Sequence, residues 1–244
     1  MSYLNNNTGY RETLLSTRSV YKKGKYTILE PDGIVKNVIP GYENCDTTIL
    51  GSPAMGASFA DYISTVHPGG KNDKIGGDGI ESFLYVISGE LTVKNADKEA
   101  DLTEGGYIYS PADKPFSFVN NSDKDAFVYI YRRRYNPLPG KEAYTVVANI
   151  NDTPWKDYEG MTNCQSKDFL PAAEDLGFDM NMHVLKFAPG ACHGYIETHI
   201  QEHVPLQKGD YVFMDSYVPQ ACYGVGTEDF IYIYSKDCNR DVEL

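Results

Sequence analysis

The chain has 244 residues, 41% hydrophobic composition and a formal net charge of −12, which suits one large globular domain or two small ones. The negative charge argues against nucleic-acid binding, because phosphate recognition depends on Lys and Arg. No apolar run approaches the roughly 20 residues that a membrane-spanning helix needs, so we expect no nucleic-acid partner and no membrane partner.

The N-terminal stretch, Met1–Thr8, is polar and has neither the basic region nor the apolar region of a secretory signal. The five cysteines are scattered and contain no C-x-x-C pair, which indicates neither a disulfide framework nor a thiolate zinc site. We therefore expect a cytoplasmic location.

Two parts of the chain resemble each other. Asp61–His67 and Met180–Ala188 are strand-like runs, and each ends at a Pro-Gly pair. Further matches follow in the same order: Gly105–Pro111 with Gly209–Asp215, and Phe127–Tyr131 with Phe230–Tyr234. Short strands punctuated by Gly and Pro, and rich in aromatic and β-branched residues, predict an all-β chain of two similar barrels.

The second copy is about 17 residues shorter than the first between His203 and Gly209. In the first copy this interval holds Phe83–Val93, a predicted hairpin with its turn at Ser88-Gly89. A barrel without this hairpin would expose unpaired strand edges. We therefore hypothesise that the sequence omits a loop or hairpin between His203 and Val204; a true deletion would compromise both barrel closure and activity.

Four polar residues of the second copy form a candidate metal site: Glu197, His199, His203 and Gln220. The first three are spaced i, i+2 and i+6, so on a β-strand their side chains all leave the same face. A buried carboxylate and two imidazoles on one face need partners. Together with an amide oxygen they suit Mn(II) or Fe(II) better than a structural zinc ion.

A helix is the alternative for this segment. His199-Ile-Gln-Glu-His203 matches the H-x-x-E-H pattern of some metalloproteases, but a helix would turn Glu197 roughly 200° away from His199. The surrounding aromatic and β-branched residues favour the strand. Gln220 on its own also fits a turn residue.

The matching positions of the first copy hold different residues: Gly76, Asp78, Ser82 and Phe116. Gly76 has no side chain and Phe116 has no donor atom, so we predict that the first barrel is metal-free. An alternative ligand set of His67, Asp78 and Glu81 follows no recognised spacing.

The run ending at Pro189-Gly190, the cluster Glu197–His203 and the segment from Gly209 to Gln220 resemble the two motifs of a cupin barrel. Common cupins use two histidines, a glutamate and a third histidine. Here Glu197 replaces the first histidine, His203 the glutamate and Gln220 the last histidine. This set is similar to that of the (S)-ureidoglycine aminohydrolases, bicupin enzymes of allantoin degradation, and the resemblance covers essentially the whole chain.

The resemblance implies two tandem cupin (double-stranded β-helix) barrels, an N-terminal metal-free cupin at 1–140 and a C-terminal catalytic cupin at 141–244. It implies that the second cupin binds Mn(II) through Glu197, His199, His203 and Gln220. It also implies that Tyr232 and Lys236 face the substrate and that they act in catalysis together with Glu197. From the residues alone, a strand-end lysine is the favoured interpretation of Lys236 and a core aromatic that of Tyr232.

The implied activity is a manganese-dependent hydrolytic deamination of the small molecule (S)-ureidoglycine to (S)-ureidoglycolate and ammonia, within purine catabolism. A non-catalytic cupin that binds a small ligand is one alternative. An Fe(II)-dependent cupin oxygenase is another, because two histidines and a carboxylate can also form its facial triad. Strand edges that need cover make a homo-oligomer the expected assembly.

Overall fold

The computed structural model describes residues 19–30, 33–199, 202–204 and 210–241, with the backbone alone at 202–204. Apart from short 3-10 helices at Pro53–Met55 and Ile150–Asp152, its regular structure is strand, which confirms the all-β prediction. The described residues form seventeen strands, in chain order β1 (Val20–Lys22), β2 (Tyr26–Leu29), β3 (Glu43–Ile49), β4 (Phe59–Ile75), β5 (Ile80–Ser88), β6 (Glu90–Lys94), β7 (Glu99–Thr103), β8 (Gly106–Ser110), β9 (Phe116–Val119), β10 (Ala126–Arg134), β11 (Val146–Asn149), β12 (Lys156–Asp157), β13 (Cys164–Asp168), β14 (Met180–Phe187), β15 (Glu202–Val204), β16 (Tyr211–Met214) and β17 (Phe230–Asp237).

The strands belong to two antiparallel sheets in two compact units. In the first unit, which contains Ile34–Asp152, the strand order is β11-β8-β5-β10-β4-β9-β6-β7, with β3 also paired to β4. Its core consists of apolar side chains from alternate strand positions, among them Leu84, Val86, Val128 and Ile130. This alternation is what the period of two in a strand requires.

The turn predicted at Ser88-Gly89 is present, but the predicted hairpin is wrong. Gly89 has a φ of 83° between β5 and β6, a conformation that glycine adopts without strain. The two strands then take different partners, because β5 pairs with β8 and β10 whereas β6 pairs with β7 and β9. The turn at Gly89 therefore connects two strands that are not neighbours in the sheet.

In the second unit the strand order is β1-β2-β16-β15-β17-β14-β13-β12. Among the described residues, this unit consists of β1 and β2 together with the chain from Thr153 onward. The chain thus passes from the first unit to the second after Asp152, whereas the prediction divided it after residue 140, and the first two strands belong to the second unit. Strand β2 pairs with β16, for example through Ile28 and Val212. The edge of β16, which follows the shortened stretch and was expected to be exposed, is therefore covered by β2.

No helix among the described residues is long and apolar enough to cross a membrane.

Candidate functional site

An extended segment of the second unit carries the predicted ligands. Cys192 and Tyr223 form one isolated β-bridge, and Glu197 and Gln220 form another. Between these bridges the chain bends at residues 194–195, so the segment is not one regular strand. Described residues before and after the gap at 200–201 are extended or paired, which makes the H-x-x-E-H helix alternative wrong for the part of the chain that the structure describes.

Glu197 and Gln220 lie directly opposite each other. The Glu197 N–H donates to the Gln220 carbonyl at 3.0 Å, and the Gln220 N–H donates to the Glu197 carbonyl at 3.0 Å. Residues in such a reciprocal pair project their side chains from the same face of a sheet. The backbone therefore places the side chains of Gln220 and Glu197 on the same face of this segment.

The Glu197 carboxylate lies between two imidazoles. Its Oε2 atom is 3.2 Å from His199 Nε2, and its Oε1 atom is 3.3 Å from His193 Nε2. The side chain of His199 is 16% exposed and that of His193 only 2%. Both rings therefore contact the carboxylate in a largely desolvated place, where electrostatic interactions are strong.

The surroundings keep Glu197 ionised. Burial alone would raise the pKa of its carboxyl group, but the hydrogen bond with His199 and the charges of His199, His193 and Lys236 lower the pKa below its ordinary value. An ionised carboxylate is the form that binds a metal ion.

Two of the four predicted ligands have described side chains that lie in contact, Glu197 and His199. His203 belongs to β15, where its backbone pairs with Phe213 and Ser235, but its side chain lies outside the described residues. Among the described side chains, no three of His, Cys, Asp and Glu converge on a common point. The adjacent oxygen and nitrogen of Glu197 and His199, 3.2 Å apart, would nevertheless suit a divalent ion, because carboxylate and imidazole are ligands that such ions accept.

Tyr232 and Lys236 both lie on β17. They alternate with outward-facing positions such as Ile231, which is 53% exposed, so they share one face of the strand. Tyr232 is 6% exposed and stacks on Phe187 with ring centroids 6.0 Å apart. Lys236 is half-buried, and its positive charge contributes to the lowered pKa of Glu197.

A cupin domain family matches residues 62–131. The (S)-ureidoglycine aminohydrolase of Escherichia coli strain K12 is 52% identical over 263 aligned positions that cover 100% of both chains. The chain belongs to the (S)-ureidoglycine aminohydrolase family. The probable (S)-ureidoglycine aminohydrolase of rice is 28% identical over 92% of this chain and 76% of its own.

A solved structure agrees with this assignment. The crystal structure of protein Ylba from E. coli has a TM-score of 0.84 and 49% identity, over 97% of this chain and 100% of that chain. The prediction of a bicupin in the (S)-ureidoglycine aminohydrolase family is therefore confirmed.

Residue-by-residue reasoning missed His193 in this family member. The residue is two positions from Tyr195 and four from Glu197, so on an extended chain it shares their face. That parity was visible in the sequence. The bend at residues 194–195 changes the spacing but leaves His193 in contact with Glu197.

The matching positions of the first unit show no comparable cluster. Phe116 is 1% exposed and belongs to the apolar core. Ser82 is buried, and Asp78 pairs with Lys74 at an exposed site. The members of the alternative set take separate partners, because His67 contacts Asp46 and Asp125 whereas Glu81 accepts a hydrogen bond from Tyr109.

Proposed function

We propose that the chain hydrolyses (S)-ureidoglycine to (S)-ureidoglycolate and ammonia, with Mn(II) held by Glu197, His199, His203 and Gln220, as a step of allantoin degradation. One observation carries the proposal: the reciprocal backbone pair brings Gln220 beside Glu197, whose carboxylate contacts His199. The substrate is inferred from the E. coli relative, which is 52% identical over the full length of both chains and is named (S)-ureidoglycine aminohydrolase.

The metal ion that suits this site depends on the chemical type of the four ligand atoms. A carboxylate, two imidazoles and an amide oxygen are mixed, fairly hard donors that favour Mn(II) over a soft thiolate metal. When bound, a divalent ion supplies positive charge that orients and polarises the substrate.

The substrate carries an amine, a ureido group and a carboxylate on one carbon. The reaction breaks the bond from this carbon to the amine nitrogen and forms a bond to a water oxygen, and the amine leaves as ammonia. The leaving amine nitrogen gains one proton and the attacking water loses one, so the site needs groups that move a proton.

Lys236 and Tyr232 are the residues of this chain that fit those tasks. The ammonium group of Lys236 can pair with the substrate carboxylate or give a proton to the leaving nitrogen. The hydroxyl of Tyr232 can donate a hydrogen bond to the bound substrate. Both reside on one face of β17, within the unit that holds Glu197.

The test combines metal analysis with an ammonia assay on freshly prepared ureidoglycine. Purified protein stripped with a chelator is expected to release no ammonia above the spontaneous rate, and added Mn(II) is expected to restore release. Metal and ligand binding without ammonia release would identify a non-catalytic cupin. Oxygen consumption that requires Fe(II) would identify an oxygenase. Size-exclusion chromatography with light scattering tests the expected homo-oligomer.

A further inference from the structure

His193 occupies a position that core packing alone does not explain. Its ring stacks on Tyr158 with centroids 5.8 Å apart and lies 6.2 Å from the ring of Phe187. In these aromatic surroundings its Nδ1 atom is buried without a hydrogen-bond partner among the described residues. An unpaired buried nitrogen destabilises a fold, so a phenylalanine would suit the packing better.

The other ring nitrogen of His193, Nε2, contacts the candidate metal ligand Glu197. Nε2 of His193 lies 3.3 Å from Oε1 of Glu197, whereas His199 approaches the opposite oxygen, Oε2. A carboxylate oxygen can only accept, so this contact becomes a hydrogen bond when Nε2 of His193 carries a proton. The two oxygens of Glu197 are thus divided between two imidazoles.

We infer that His193 is a positioning residue that acts through Glu197. Its Nε2 atom, 3.3 Å from Oε1, is placed to restrain the rotation of the carboxylate and to leave Oε2, beside His199, for the metal ion. Partners of this kind commonly change metal affinity 10-fold to 100-fold. This inference rests on the proposed function, because it takes Glu197 to be a metal ligand.

His193 is assigned to positioning and not to metal coordination for a geometric reason. It contacts Oε1 whereas His199 contacts Oε2, and the described His, Asp, Glu and Cys side chains form no group of three that could hold a metal ion. Its ring is also held by aromatic neighbours on more than one side.

The experiment measures Mn(II) affinity through the electron paramagnetic resonance signal of the free ion. His193→Phe keeps a ring and removes the N–H, and His193→Gln keeps a donor near the position of Nε2. Tyr195→Phe is the matched control, because the Tyr195 ring lies 5.0 Å from His193 and its hydroxyl donates to Glu159. Thermal unfolding of the metal-free proteins monitors the fold.

We expect His193→Phe to weaken Mn(II) binding by about 10-fold to 100-fold. His193→Gln and Tyr195→Phe should stay within about 3-fold of the wild type, because both retain a donor to Glu197. Mn(II) affinity that is retained in His193→Gln but lost in His193→Phe indicates a positioning role. A role in packing alone would instead leave the phenylalanine variant less affected than the glutamine variant. If His193→Phe does not fold, His193→Met, which is flexible and has no N–H, takes its place in the comparison.

Affinity of His193→Phe within about 3-fold of the wild type would overturn the inference, as would equal losses in the Phe and Gln variants. The wild-type ammonia assay distinguishes this failure from failure of the proposed function. A wild type that binds Mn(II) but releases no ammonia refutes the activity and leaves the His193 comparison intact. A wild type that binds no Mn(II) refutes the metal assignment on which both depend.

Discussion

The charge of Asp168 is expected to stabilise the sheet that holds the candidate site. Asp168 ends β13 and accepts a hydrogen bond from His183 Nδ1 at 2.5 Å, and it also pairs with Lys156. Burial alone would raise the pKa of Asp168, but the hydrogen bonds and charges of His183 and Lys156 lower it from 3.8 to about 2. At about 1.4 kcal/mol for each pKa unit, Asp168→Asn should cost about 2 kcal/mol at pH 7.

The pH dependence follows from the sign of that change. Because the folded-state pKa is lower than the unfolded value, the unfolded chain takes up the proton first as the pH falls. The stabilisation is therefore complete well above pH 3.8 and is lost as the pH falls through about 2. The difference between wild type and Asp168→Asn should roughly halve from pH 5 to pH 3.

Urea unfolding followed by Trp155 fluorescence measures this difference. Trp155 is the only tryptophan of the chain, and Lys167 of β13 and Lys186 of β14 lie over its ring, so it reports on the strands that hold Asp168. Asp157→Asn removes the same charge from an exposed position on neighbouring β12 and should change stability by less than about 0.5 kcal/mol. Equal stabilities for Asp168→Asn and Asp157→Asn at pH 7, or a difference that does not shrink toward pH 3, would refute this reasoning.

Three further outcomes are expected. Gly89→Ala should destabilise the protein by about 2 kcal/mol in urea unfolding, because φ is 83° and an added Cβ would lie 2.7 Å from the Ala126 backbone; a cost below about 0.5 kcal/mol would contradict this. Phe187→Ala should cost about 3 to 5 kcal/mol, since the ring is fully buried, and a two-state unfolding curve close to the wild type would count against it. Lys236→Met should lower ammonia release by about 100-fold or more with Mn(II) content unchanged, and full turnover would remove Lys236 from the mechanism.

Much of the site was predictable from local pattern. The period of two placed Glu197 and His199 on one side of an extended chain, and the structure brings their donor atoms within 3.2 Å. The same parity includes His193, which the sequence analysis did not select as a site residue. Its burial and its contact with Glu197 become visible only in the tertiary structure.

The amino-acid sequence by itself determined the all-β class, the twofold repeat and the membership in the (S)-ureidoglycine aminohydrolase family. These features depend on side-chain alternation and turn residues, which act between near neighbours in the chain. Only the tertiary structure decided that β1 and β2 join the second sheet and that Gln220 lies opposite Glu197. Pairing between distant segments depends on how the whole sheet closes and in which register, and no local pattern specifies that choice.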